Sequence, residues 1–122
     1  MPIVDVQVVC KTPQQVCTVS AQALADSLGR VFQSESGHTW VRTHTLADIA
    51  YAENGTTLSD SELPAFVTVM HLRPPVGEAL AIEVQAVTVA VAKCIGRPKE
   101  RVHVQYAPPG AGRQAFGGKL VE

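Results

Sequence analysis

The sequence is poor in the features that usually announce a function. Its three cysteines, Cys10, Cys17 and Cys94, are odd in number and scattered, with no C-x-x-C pair. They read as small buried thiols in a reducing, cytoplasmic setting, not as a disulfide frame or zinc site. Aromatic residues make up 5% of the chain against 46% hydrophobic, so the core must be built from Val, Ala and Leu. Neither charge dominates: ten Lys and Arg face eleven Asp and Glu without a like-charge block, which argues against nucleic acid or an anionic membrane as partner. The longest apolar-rich stretch, EALAIEVQAVTVAVAKCIG, is broken by Glu83, Gln85, Thr88 and Lys93 and is not a membrane span. No basic leader followed by an apolar run is visible. No H-E-x-x-H or calcium-loop pattern occurs and the four histidines stand singly, so neither metal nor cofactor is expected. GAGRQA satisfies G-x-G-x-x-A in form only: it follows Pro108-Pro109, and too little chain remains for a dinucleotide-binding unit.

What is present is a pattern that occurs twice. IVDVQVV (3–9) alternates, with Val4, Val6 and Val8 on one face, and reads as a strand. Thr12 as N-cap and Pro13 at the first helical position introduce Cys17, Ala21, Leu24, Leu28 and Val31, which recur at helical spacing. Gly37 marks a stop, and TWVRTHT returns to alternation. After a polar connection with a turn at Asn54-Gly55, FVTVMHL alternates again. Leu80, Val84, Val87, Val91 and Ile95 then form a helical stripe, and RVHVQY closes as a strand. VQAVTVAVA is rich in β-branched residues and could pass for a strand, but the stripe persists through it, which favours helix.

A chain of 122 residues in this order is one domain (1–122), with pseudo-repeats at about 2–46 and 65–107 and a C-terminal segment, 108–122. The expected class is α+β: two tandem β-α-β units forming a four-stranded sheet with two helices on one face. Two architectures satisfy it. One is the ferredoxin-like split βαβ, which would make the chain a binding or interaction module without catalysis. The other is the tautomerase arrangement, whose uncovered sheet face is buried by trimerisation. The face opposite the helices holds Ile3, Val9 and Trp40 with Gln7, His103 and Gln105, a mixed and sparsely charged surface that favours the second.

With MPIVDVQVV at its start, a doubled βαβ, TWVRTHT and RVHVQY in equivalent places, and the ending GRQAFGGKLVE, the chain resembles the tautomerase superfamily over its whole length. That group includes 4-oxalocrotonate tautomerase, 5-carboxymethyl-2-hydroxymuconate isomerase and macrophage migration inhibitory factor. The resemblance implies a cofactor-independent isomerase acting on a 2-oxo acid or a 2-hydroxymuconate-like dienol, a homotrimer, and an amino-terminal proline as general base. Pro2 is the matching position, and methionine before a small residue such as proline is normally removed. An α-amino group starts near a pKa of ~8, and an apolar cleft with neighbouring cations favours its neutral form. By the same resemblance Arg42 stabilises the enolate, Arg73 and Lys11 are candidates for the substrate carboxylate, His103 faces the neighbour's site, and Phe116 dries the proline pocket. The decarboxylase and dehalogenase relatives present paired arginines after the third strand; here LRPPVG offers Arg73 alone, which weakens the decarboxylase or hydratase alternative.

Overall fold

The computed structural model describes residues 2–11 and 19–122. Four strands, β1 (Ile3–Cys10), β2 (Trp40–Ala47), β3 (Ala65–Met70) and β4 (Val102–Tyr106), form one sheet in the order β2-β1-β3-β4. Helices α1 (Ala21–Val31) and α2 (Gly77–Ile95) connect β1 to β2 and β3 to β4. β1 and β2 are parallel direct neighbours, as are β3 and β4, and β1 meets β3 antiparallel at the centre. This order excludes the ferredoxin-like alternative, in which each βαβ unit is split by a strand of the other. The offset between paired residues is identical in the two parallel ladders: Ile3 faces Trp40 and Ala65 faces Val102, 37 residues apart in each case. Each half is thus the same supersecondary unit, and the two meet about a local twofold.

The sheet buries the face that the alternation assigns to it. Val4, Val6 and Val8 of β1, Val67 and Val69 of β3, and Val102 of β4 pack against Leu24 and Leu28 of α1 and Val87 and Val91 of α2. The largest fully buried side chains are aliphatic, as the shortage of aromatics requires. Val9, expected on the uncovered face, is fully buried where the chain closes over that end of the sheet, its amide bonded to the Pro64 carbonyl at 3.0 Å.

Both helices have identifiable ends. Ser20 caps α1, its hydroxyl accepting from the Ala23 amide at 3.0 Å. The described helix therefore begins at Ala21; Thr12, Pro13 and Cys17, on which an earlier start was expected, lie outside the described residues. The β-branched run 84–91 is helical: Val87 and Val91 face the core, and the Thr88 hydroxyl donates back to the Val84 carbonyl at 2.7 Å. α2 stops at Gly96, which adopts the left-handed conformation (φ 69°, ψ 39°) that glycine accepts without steric cost. The C-terminal segment ends in a two-stranded hairpin, β5 (Ala115–Phe116) and β6 (Lys119–Leu120), turned by Gly117-Gly118 with φ positive at both positions. Cys10 is held in a disulfide while Cys94 is free, which corrects the expectation of three thiols; an odd count rules out complete pairing, not one pair. Among the described residues no helix is long and apolar enough to cross a membrane. The same residues contain no cluster of three or more His, Cys, Asp or Glu able to hold a metal ion.

Candidate functional site

Pro2 stands at the head of β1, buried, with its carbonyl accepting from the Trp40 amide at 3.1 Å. It lines a cleft of about 360 Å³ whose other walls are Phe32, Gln33, Ser34 and Glu35 after α1, His38, and His71 just beyond β3. The antiparallel register explains the meeting. Ile3 pairs with Met70, so one step further out Pro2 faces His71 across the central strand pair, both on the side that carries Val4 and Val69. His71 is fixed in turn: its Nε2 lies 2.9 Å from Glu83 Oε2, Phe32 meets its ring edge-on with centroids 5.1 Å apart, and Tyr106 stacks on it at 5.9 Å. The Tyr106 hydroxyl donates to the same Glu83 oxygen at 2.5 Å, and burial, with that contact, pushes the phenol well above its ordinary range.

None of the other five expected site residues lies in this cleft of the single chain. Arg42 is on the uncovered sheet face, where its guanidinium grips Asp5 through two bonds, Nε–Oδ1 at 2.6 Å and Nη2–Oδ2 at 3.0 Å. That bond and the Asp5 charge raise its pKa further. His103 is on the same face, its ring 5.7 Å from Phe66. Phe116 packs edge-on against Trp40 at 5.4 Å, at the Pro2 end of the sheet but not among the cleft walls. Arg73 donates to the Glu122 backbone carbonyl, and Lys11 is paired with Asp60 at 2.8 Å.

The uncovered face carries polar rows that follow the register. Arg42, Asp5, Thr68 and Gln105 form one row, with Gln105 donating to the Thr68 hydroxyl at 3.2 Å. His44, Gln7, Phe66 and His103 form the next. All of these except Arg42 line an open trough of about 550 Å³. At its edge Tyr51 and Arg101 both donate to Glu53 Oε2, at 2.7 and 2.5 Å; these bonds hold the Glu53 carboxyl below its usual range, Tyr51 contributing most.

Comparison with solved structures places this arrangement. A fused 4-OT wild-type symmetric trimer matches 98% of this chain and 94% of its own with a TM-score of 0.74 at 16% identity. The fold is that of the tautomerase superfamily. Pt0534 inactivated by 2-oxo-3-pentynoate matches over 98% of this chain and 94% of that one (TM-score 0.72, 14% identity). Macrophage migration inhibitory factor from Oncomelania hupensis matches over all of this chain and 83% of that one (0.71, 16%). No family model and no curated protein sequence matches the chain.

Neither periodicity nor the resemblance singles out His71, His38, Phe32, Glu35, Glu83 or Tyr106 for this cleft or the wall behind it. A signal for His71 was present: it continues the buried phase of Val67 and Val69. Its position beside Pro2 follows only once β1 and β3 are known to pair antiparallel.

Proposed function

We propose that the chain is a cofactor-independent tautomerase that moves a proton between oxygen and carbon of a 2-oxo acid or 2-hydroxymuconate-like dienol. Its general base is the Pro2 amine, freed by removal of Met1. The observation that carries this reading is Pro2 itself, at the head of the first strand of a tautomerase fold and lining a cleft walled by Phe32 and His71. In its neutral form the amine takes the hydroxyl proton of the enol, leaving an enolate, and returns it to carbon.

The enolate oxygen and the substrate carboxylate both call for a cation, and among the described residues no Lys or Arg lines the Pro2 cleft. The missing charge comes from a neighbouring copy in a homotrimer. Arg42 and His103 stand on the face that such an assembly would cover, Arg42 as the enolate and carboxylate partner through its planar fork. Arg73 and Lys11 are the further carboxylate candidates, and Phe116, beside Trp40, closes the Pro2 end of the sheet against water.

The test is ultraviolet detection of phenylenolpyruvate and 2-hydroxymuconate ketonisation by wild type and Pro2→Ala. The substitution is expected to cost about 10²–10⁴-fold in kcat, the range of a positioned general base. Intact mass is expected to show Met1 absent, and solution mass three chains. Undiminished activity in Pro2→Ala, or Met1 retained in an active preparation, refutes the mechanism.

A further inference from the structure

The wall of the Pro2 cleft hides a carboxylate, and a carboxylate is a poor neighbour for an amine that must remain uncharged, because it favours the ammonium form. Glu83, in the first turns of α2, has a side chain 16% exposed, and its Oε2 receives both Tyr106 Oη at 2.5 Å and His71 Nε2 at 2.9 Å. The His71 side chain is 12% exposed and is clamped between Phe32 and Tyr106. His71 lines the cleft and Glu83 does not. With Nε2 engaged by the carboxylate, Nδ1 is the ring nitrogen left free.

We propose, building on the reading of Pro2 as the base, that His71 is a positioning residue that keeps the Pro2 amine uncharged. Its ring separates the amine from Glu83 and, with Tyr106, takes up the hydrogen-bonding capacity of that carboxylate. Among the described residues the other titratable groups facing the cleft are Glu35 and His38, from the segment after α1, whose side chains lie 3.8 Å apart and open to water. Solvent screens that pair, whereas Glu83 is shielded and acts on the amine unless His71 intervenes.

The probe is 2-oxo-3-pentynoate added to the full chain, followed by intact mass from about pH 5 to pH 9. The amine lone pair adds to the alkyne carbon β to the ketone, and a proton passes to the adjacent carbon. Only the uncharged amine reacts, so the pH midpoint of labelling reports its protonation. His71→Phe keeps a ring against Phe32 and is expected to raise the midpoint by about one pH unit, slowing labelling below it about tenfold. It is expected to lower kcat for ketonisation over the same range while KM stays within about twofold. His71→Phe combined with Glu83→Gln is expected to return the midpoint to that of wild type, which a merely structural loss would not do. Should His71→Phe not fold, Tyr106→Phe, which leaves Glu83 with one donor fewer, is expected to raise the midpoint by a smaller step. Labelled wild type with an unmoved midpoint in the variant that folds, or a shift that Glu83→Gln does not reverse, overturns this proposal alone. Wild type that resists labelling at every pH overturns the Pro2 reading and this proposal with it.

Discussion

Gly110 is where the C-terminal segment fastens onto the sheet beside the Pro2 cleft, and replacing it with alanine tests how tightly. Its amide donates to the His71 carbonyl at 2.8 Å, and the next amide, Ala111, to the Leu72 carbonyl at 3.0 Å. A Cβ at this position would stand 2.6 Å from Met70 Sδ, 3.1 Å from Leu72 Cδ2 and 3.3 Å from Gln114 Cβ. The backbone there is not in the left-handed region, so the cost is steric. Overpacking of this kind costs about 1–3 kcal/mol, and the flexible Met70 thioether places it in the lower half, about 1–2 kcal/mol. At this chain length each kcal/mol moves Tm by about 3–6 °C, so thermal unfolding of Gly110→Ala is expected about 3–12 °C below wild type. Adding Met70→Ala removes the nearest clash and is expected to yield a favourable coupling in the double-mutant cycle. Gly112→Ala is the contrasting case: nothing lies within 4 Å of its Cβ but φ is +79°, so it carries backbone strain of about 1–2 kcal/mol that Met70→Ala does not relieve. A Gly110→Ala chain as stable as wild type, or one indifferent to Met70→Ala, refutes the close docking.

Two further outcomes follow from the site. If Arg42 acts across a subunit boundary, co-expressed Pro2→Ala and Arg42→Ala chains are expected to regain about a quarter of wild-type sites by random mixing, although each variant alone is impaired; enzyme assay of the purified mixed trimer decides it. The Glu53 carboxyl is held below the ordinary value of 4.5 in the folded chain by Tyr51 and Arg101. Its stabilisation is therefore complete above that value and is lost as pH falls through the folded pKa. Urea midpoints of Glu53→Gln from about pH 3 to pH 7 are expected to be lower than wild type near neutrality and to converge with it in acid; parallel curves refute the assignment.

The repeat was legible because alternation and helical spacing are imposed by one-sided burial. Val4, Val6, Val8, Val67 and Val69 mark their strands, and even the β-branched run in α2 yields to its stripe of Val87 and Val91. Strand order was not legible in periodicity, since the same alternation serves a split or an adjacent βαβ; the sparsely charged second face, and then the resemblance, favoured the adjacent order. The described start of α1, capped by Ser20, was not legible because Thr12-Pro13 offers an equally good capping signal and local chemistry does not rank the two. The cluster around Pro2 depends on long-range register. His71, Glu83 and Tyr106 come from three elements, and no spacing in the sequence joins them.

The common offset of 37 residues in the two ladders has a consequence for the number of active centres. The two units repeat strands and helices, but the base proposed above is an amine at a free chain start, which the pseudo-equivalent corner at Pro64 does not have. There Leu63 and Pro64 run straight into β3, and Arg97 ties the Leu63 and Val9 carbonyls together at 2.6 and 2.9 Å. On that proposed reading one corner of the repeated frame serves chemistry and the other bracing, and a ring of three such chains would hold three reactive centres where six unfused halves could hold six.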